Sequence, residues 1–203
     1  MAPRISPEQA DDRRAQIRAA AQRCFVKKGF HRTSMRDICA EAGLSVGAVY
    51  SYFNSKEDII ADAAVDERAF IREVFERNSA NPDPAQCDIV RTFFTMAADP
   101  DTPPMALSLW GEAATNERVR TILADLRTEL IDRLEERVAE AQKTGEISPE
   151  LDSRSVAQVM LAMHNGMVVQ MGICGDVDLD AYIQVVEATC FGPPGGGNGG
   201  TTP

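Results

Sequence analysis

A chain of 203 residues with 44% apolar content can enclose one domain or two small ones around a buried core, and it needs no metal or disulfide to hold that core. Its five cysteines (Cys24, Cys39, Cys87, Cys174, Cys190) are odd in number and lack a CxxC pair, which argues against a disulfide framework or a zinc site. No continuous apolar run approaches the ~20 residues that cross a bilayer, and the N-terminus lacks a signal-peptide core, so the expected address is the cytoplasm, with no membrane partner.

The net charge of -10 is held unevenly. Residues 1–56 carry ten Lys/Arg against five Asp/Glu, a balance of +5, so the rest of the chain carries -15. A basic head on an acidic body would turn its N-terminal end toward nucleic acid.

Residues 1–8, with Pro3 and Pro7, read as a flexible arm carrying Arg4. From there on, apolar residues recur every three or four positions, the period of helices, and no stretch of β-branched alternation persists. A first helix is expected from about Pro7 to Lys28, with Ile17, Ala20, Ala21, Cys24 and Phe25 on one face and Gly29 as its stop. Ser34 with Asp37 gives a capping-box start to a short second helix ending at Gly43, and Ser45 caps a third running through about Tyr52. Ser55 opens a fourth that reaches about Asn78, before the break at Pro82 and Pro84. Further helices are expected near 85–98, 104–113, 116–144, 153–173 and 178–190. The Gly/Pro/Asn/Thr tail 192–203 is expected to be disordered.

The segment TSMRDICAEAGLSVGAVYSYFNSKEDI, residues 33–59, has helix-turn-helix spacing. Ile38 and Cys39 point inward, Gly43 permits a left-handed reversal, Leu44 plugs the corner, and Val49 packs the next helix back. That geometry projects the N-terminal residues of the second of the two helices into a major groove. Lys56 follows Asn54 and Ser55 at a helix start, where amides and a cation together suit a phosphate; Arg32, Thr33 and Ser34 stand in the same way before the preceding helix.

On these residues the run AGLSVGAVYSYFNSKED, together with the preceding KKGF, resembles the DNA-binding domain of the tetracycline-repressor (TetR) type of bacterial regulators over about residues 12–62. The resemblance implies an all-α chain: a three-helix helix-turn-helix DNA-binding domain over residues 1–54, then a helical ligand-binding and dimerisation domain over 55–191. It implies a homodimeric repressor that binds double-stranded DNA at an inverted-repeat operator and releases it on binding a small hydrophobic inducer. Ser45, Val46, Gly47 and Ala48 would then face base edges, while Tyr50, Tyr52, Lys56 and Thr33 hold phosphates. Family members often carry a polar or basic residue where Val46 stands and a hydroxyl where Ala48 stands. Thymine methyls and DNA shape are therefore expected to do more of the discrimination here.

Candidates for the ligand chamber are Phe93, Phe94, Met96, Met105, Trp110, Leu126, Leu130 and Met167, with His164 and Asn165 as polar anchors. The stripe Met160, Met163, Met167, Met171 reads as core, and the resemblance makes part of that helix a dimer face through Val156, Val159, Met163, Gly166 and Gln170. No glycine-rich phosphate loop, nucleophile elbow or HExxH is present, so neither catalysis, a cofactor nor a metal is expected. The competing reading is an architectural or division-control DNA-binding protein of the same fold that answers to no inducer.

Overall fold

The computed structural model describes residues 6–79, 89–96 and 98–190. Among them are nine α-helices and no strand: α1 (Pro7–Lys28), α2 (Met35–Ala42), α3 (Val46–Tyr50), α4 (Lys56–Ser79), α5 (Ile89–Thr95), α6 (Thr102–Ala113), α7 (Glu117–Thr144), α8 (Ser153–Ile173) and α9 (Leu179–Cys190). Of the arm expected over residues 1–8, residues 1–5 lie outside the described residues, as do 80–88, 97, 191 and the tail 192–203, while Pro7 and Glu8 already belong to α1.

Short polar side chains start several of these helices. The Gln9 N–H donates to Ser6 Oγ at 3.2 Å while the Ser6 N–H donates to Gln9 Oε1 at 3.1 Å, a reciprocal capping box at α1. Ser34 and Asp37 repeat it at α2; Ser45 caps α3 and Asp152 caps α8 through single bonds. Three elements differ from expectation. The fifth helix, expected to reach residue 98, ends at Thr95. The third helix stops at Tyr50, because the N–H groups of Tyr52 and Phe53 both converge on the Val49 carbonyl at 3.0 Å and tighten the last turn. The sixth begins at Thr102, two residues early, with Pro103 and Pro104 in a first turn where a missing N–H costs nothing.

Close packing divides the chain into two units, one made of Met1–Phe70 with Pro100–Arg127, the other of Ile71–Asp99 with Thr128–Pro203. In the first unit Ile17, Ala20, Ala21 and Phe25 of α1 bury against Ile38 and Cys39 of α2, Val49 of α3, Ile59 and Ile60 of α4, Leu109 of α6 and Val119 of α7. Phe25 and Phe30, with ring centroids 5.0 Å apart, fill its centre. The helix-turn-helix is therefore supported by α6 and the start of α7, elements far along the chain. Ser108 Oγ accepts the Phe30 N–H at 2.7 Å, and Asn116 Nδ2 donates to Glu57 Oε1 at 3.0 Å. Arg118 reaches Ser55 Oγ at 3.2 Å and pairs with Asp58. Although burial opposes its charge, Asp58 is held below the usual carboxylate range by this guanidinium, by the Asn54 N–H and by Ser55.

In the second unit the buried residues include Phe93 and Phe94 of α5, Ile131, Leu134 and Val138 of α7, Met160, Leu161, Met167 and Val168 of α8, and Ile183 and Val186 of α9. By length and composition α8 is apolar enough to cross a membrane, although polar residues interrupt it and leave no continuous apolar run of that length. Ala157, Met160, Leu161, Met167 and Val168 are buried inside this unit and give the helix a core face, while Val159 and Ile173 stay exposed.

Candidate nucleic-acid interface

The reversal between α2 and α3 rests on Gly43, which adopts φ 67 and ψ 29, a left-handed conformation that costs a side-chain-bearing residue about 1–2 kcal/mol. Its N–H donates to the Ala40 carbonyl at 3.2 Å and the Leu44 N–H to the Cys39 carbonyl at 3.0 Å, so the last turn of α2 leaves few orphan carbonyls. Leu44 packs partly against the core, and Val49 is the one buried residue of α3. With Val49 inserted, the cap Ser45 and Gly47 are exposed, Val46 is 49% exposed and Tyr50 is 44% exposed, while Ala48 is half-buried. An exposed valine and tyrosine on a helix pinned by a buried neighbour is the arrangement that a groove-reading helix needs.

The charges around this face are sorted. Lys28 Nζ lies 2.5 Å from Asp37 Oδ1 and Arg23 Nε lies 2.6 Å from Glu41 Oε1, so both acids of α2 are neutralised from α1. Hydrogen bonds from Lys28, then Ser34, hold the Asp37 carboxyl far below its usual range, while Arg23 lowers Glu41. Arg32 and Arg36 remain exposed. Arg32 Nε donates to the Lys28 carbonyl at 3.0 Å, and its terminal nitrogens have no partner among the described residues. Arg36 has none there either. Sequence reasoning passed over Arg36; its signal is that Met35, Ile38, Cys39 and Ala42 take the inward face of α2 and leave position 36 outward.

Two expected phosphate contacts sit otherwise. Thr33 is 2% exposed, and its hydroxyl is turned inward between the carbonyls of Gly29, at 2.8 Å, and Cys24, at 3.2 Å. It closes the end of α1 and offers no hydroxyl to a phosphate, because burial of those carbonyls demands a donor. Lys56 Nζ lies 2.6 Å from the Phe30 carbonyl oxygen and 4.3 Å from the Phe30 ring centroid, leaving part of its ammonium toward solvent. Ser34 is exposed and Ala48 half-buried. Tyr52 is half-buried, with the Arg14 guanidinium 5.9 Å from its ring centroid.

This geometry coincides with two family models. Residues 17–63 match the bacterial regulatory proteins of the tetR family, and residues 88–190 match the C-terminal part of BetI-type transcriptional repressors. The chain belongs to the tetR family. It is a DNA-binding transcriptional regulator. Among relatives, the HTH-type transcriptional regulator TtgR of Pseudomonas putida is 28% identical over 174 residues, 81% of this chain and 82% of that one. Among solved structures, FadR from Bacillus subtilis in complex with stearoyl-CoA has a TM-score of 0.75 at 22% identity, over 88% of this chain and 98% of that one. The SmeT–triclosan complex has a TM-score of 0.74 at 20% identity, over 95% and 99%.

In this tetR-family regulator the expected ligand residues do not all fall in one unit. Met105, Trp110 and Leu126 belong to the first; Phe93, Phe94, Met96, Leu130, His164, Asn165 and Met167 belong to the second. The structure brings three of the latter together: the His164 ring centroid lies 4.5 Å from that of Phe93 and 5.7 Å from that of Phe94, and Tyr182 adds a ring 5.9 Å from Phe94. Tyr182, which the sequence reading did not single out, donates its hydroxyl to the Met163 carbonyl at 3.0 Å. Both ring nitrogens of His164 are buried without a hydrogen-bond partner among the described residues. Burial outweighs the opposing pull of neighbouring Asn165 and brings its pKa down to about 4, so the imidazole is neutral.

The five residues expected at a dimer face form one stripe on α8. Val159 and Gln170 are exposed, Val156, Met163 and Gly166 half-buried, and a side chain added at Gly166 would meet open space. Ile173 of α8 and Val185 of α9 are exposed apolar side chains of the same unit. Of the cysteines, Cys24 and Cys39 are buried, with burial pushing the Cys24 thiol up, and Cys174 is exposed.

Proposed function

We propose that this regulator is a homodimeric, cytoplasmic repressor that lies on the nucleoid when bound to an inverted-repeat operator and leaves it when a small hydrophobic ligand binds. The observation that carries the DNA half is the exposure of Ser45, Val46, Gly47 and Tyr50 on a helix held by buried Val49. Ser45, Val46, Gly47 and Ala48 meet base edges; Tyr50, Tyr52, Arg32, Ser34, Arg36 and the free part of the Lys56 ammonium meet phosphates, and Thr33 is left to structure. Two copies paired through Val156, Val159, Met163, Gly166 and Gln170 would present their recognition helices about one helical turn of DNA apart, ~34–36 Å, or somewhat more.

The ligand half rests on the unsatisfied His164 beside Phe93 and Phe94, with Met96, Leu130, Asn165 and Met167 in the same unit. The ligands named for FadR and SmeT, stearoyl-CoA and triclosan, support a hydrophobic inducer. Release requires that the ligand bind the DNA-free state more tightly than the DNA-bound one. In functional terms residues 1–54, with Lys56 at the start of α4, read DNA and residues 55–191 sense and dimerise, and the regulator acts by binding, without catalysis.

A gel shift with the DNA upstream of its own gene, run with and without a panel of lipophilic acids, phenols and cations, tests both halves. Release by one compound supports the proposal; binding that no compound relieves removes the inducer. Tyr50→Ala is expected to weaken binding to every sequence while leaving the dimer intact, and unchanged affinity at matched salt argues against the interface.

A further inference from the structure

Within the first unit a cleft of about 240 Å³ lies between α1 and α4. Ala21, Phe25, Ile59 and Ile60 form its buried floor with half-buried Met105 of α6, and Arg18, Gln22, Asp66, Glu67 and Phe70 stand at its polar rim. None of the residues assigned to DNA above lines it, and its volume is below the range of sites for drug-sized ligands, which suits an occupant of one ring.

The rim charges do not cancel. Arg18 Nη1 lies 2.5 Å from Asp62 Oδ2 and its Nη2 pairs with Asp66, while Arg14 Nη1 lies 3.0 Å from Asp62 Oδ1. Two guanidiniums thus satisfy two carboxylates. Glu67 is left with no ion pair or hydrogen bond among the described residues. Three positions further along α4, Phe70 holds its ring 49% exposed at the same rim. A carboxylate left over beside an open aromatic face, above an apolar floor, is complementary to one kind of molecule: an apolar body bearing one positive charge. A neutral ligand would leave Glu67 uncompensated, and an anion would be repelled by it.

We propose that the cleft between α1 and α4 binds a small lipophilic organic cation, with its apolar body on Phe25, Ile59, Ile60 and Met105 and its charge against Glu67 and Phe70. Neighbouring atoms desolvate the Glu67 carboxyl in part and raise its pKa although the side chain reaches solvent, a cost that a cation at the rim relieves. This site is separate from the His164 niche and stands whether or not an inducer binds there.

Isothermal titration of the full chain with benzyltrimethylammonium, against 3-phenyl-1-propanol as an uncharged body of similar size, tests it. The cation is expected to bind once per chain, about tenfold or more tighter than the alcohol, as a partly desolvated ion pair and ring contact allow. Glu67→Gln should abolish that preference and Phe70→Ala should weaken the cation several-fold; both positions are exposed, so neither variant threatens folding. His164→Leu, in the other unit, should change neither affinity. The proposal is overturned if the parent chain binds no cation, if it binds cation and alcohol equally, if the preference survives Glu67→Gln, or if His164→Leu alone removes binding.

Discussion

The ammonium of Lys56 lies 2.6 Å from the Phe30 carbonyl oxygen and 4.3 Å from the Phe30 ring centroid, so the first residue of α4 is fastened to the turn that ends α1. A lysine expected from sequence to hold phosphate is therefore also a clasp. Lys56→Met keeps the stem and removes the charge. It is expected to cost about 1 kcal/mol of stability through the lost hydrogen bond and ring contact. If the remaining N–H also meets a phosphate, the slope of log affinity against log salt becomes shallower by about 1. Urea unfolding and salt-titrated gel shifts read the two effects separately, and an unchanged slope would assign Lys56 to the clasp alone.

Thr33 gives the opposite pattern. With its hydroxyl inward against Gly29 and Cys24, Thr33→Val should lower stability by about 1 kcal/mol, because a buried carbonyl loses its donor. DNA binding by the molecules that remain folded should keep its salt slope, as no phosphate contact has been deleted. A shallower slope at full stability would restore Thr33 to the interface.

Gly43 separates conformation from space. A Cβ built there meets nothing within 4 Å, so Gly43→Ala creates no clash, and only the left-handed backbone resists it. The expected loss is about 1–2 kcal/mol, with Gly43→Asn less harmful because asparagine tolerates that region better. Thermal unfolding of the three proteins checks the order; alanine and asparagine equally destabilised would mean that crowding, not backbone conformation, sets the cost.

Much of this was legible in the sequence wherever the cause is local. Ser34, Asp37, Gly43, Ser45 and Val49 fix caps, a reversal and one buried side chain within a few residues of each other, and the match to the tetR family follows from that same stretch. Contacts made across long separations left no such mark. Nothing near Phe30 announces Ser108, and nothing near Ser55 announces Arg118, so the support that α6 and α7 give to the DNA-reading helices emerges only in the fold. For the same reason Thr33, polar and next to a helix start, reads as a surface hydroxyl until two carbonyls of α1 and its cap are found above it. The ten ligand candidates share only their chemistry, and packing sorts them into two units; only the trio Phe93, Phe94 and His164 is joined by ring contacts.

That trio makes the stability of the regulator depend on pH in a direction that can be fixed in advance. In the folded chain His164 stays neutral down to about pH 4, whereas an unfolded imidazole takes up its proton near 6.5. Between those values the unfolded state binds more protons, so stability is complete above about pH 6.5 and falls as the solution is acidified. The loss should reach about 2 kcal/mol at pH 5 if the niche stays closed. Replacing His164 with leucine removes the titrating group and the two unsatisfied nitrogens together, so the variant should be at least as stable as the parent at pH 5 and should lose less between pH 7 and 5. Urea midpoints at the two pH values decide it. Equal acid losses in parent and variant would place the proton uptake elsewhere in the chain and remove the argument that the imidazole is held neutral.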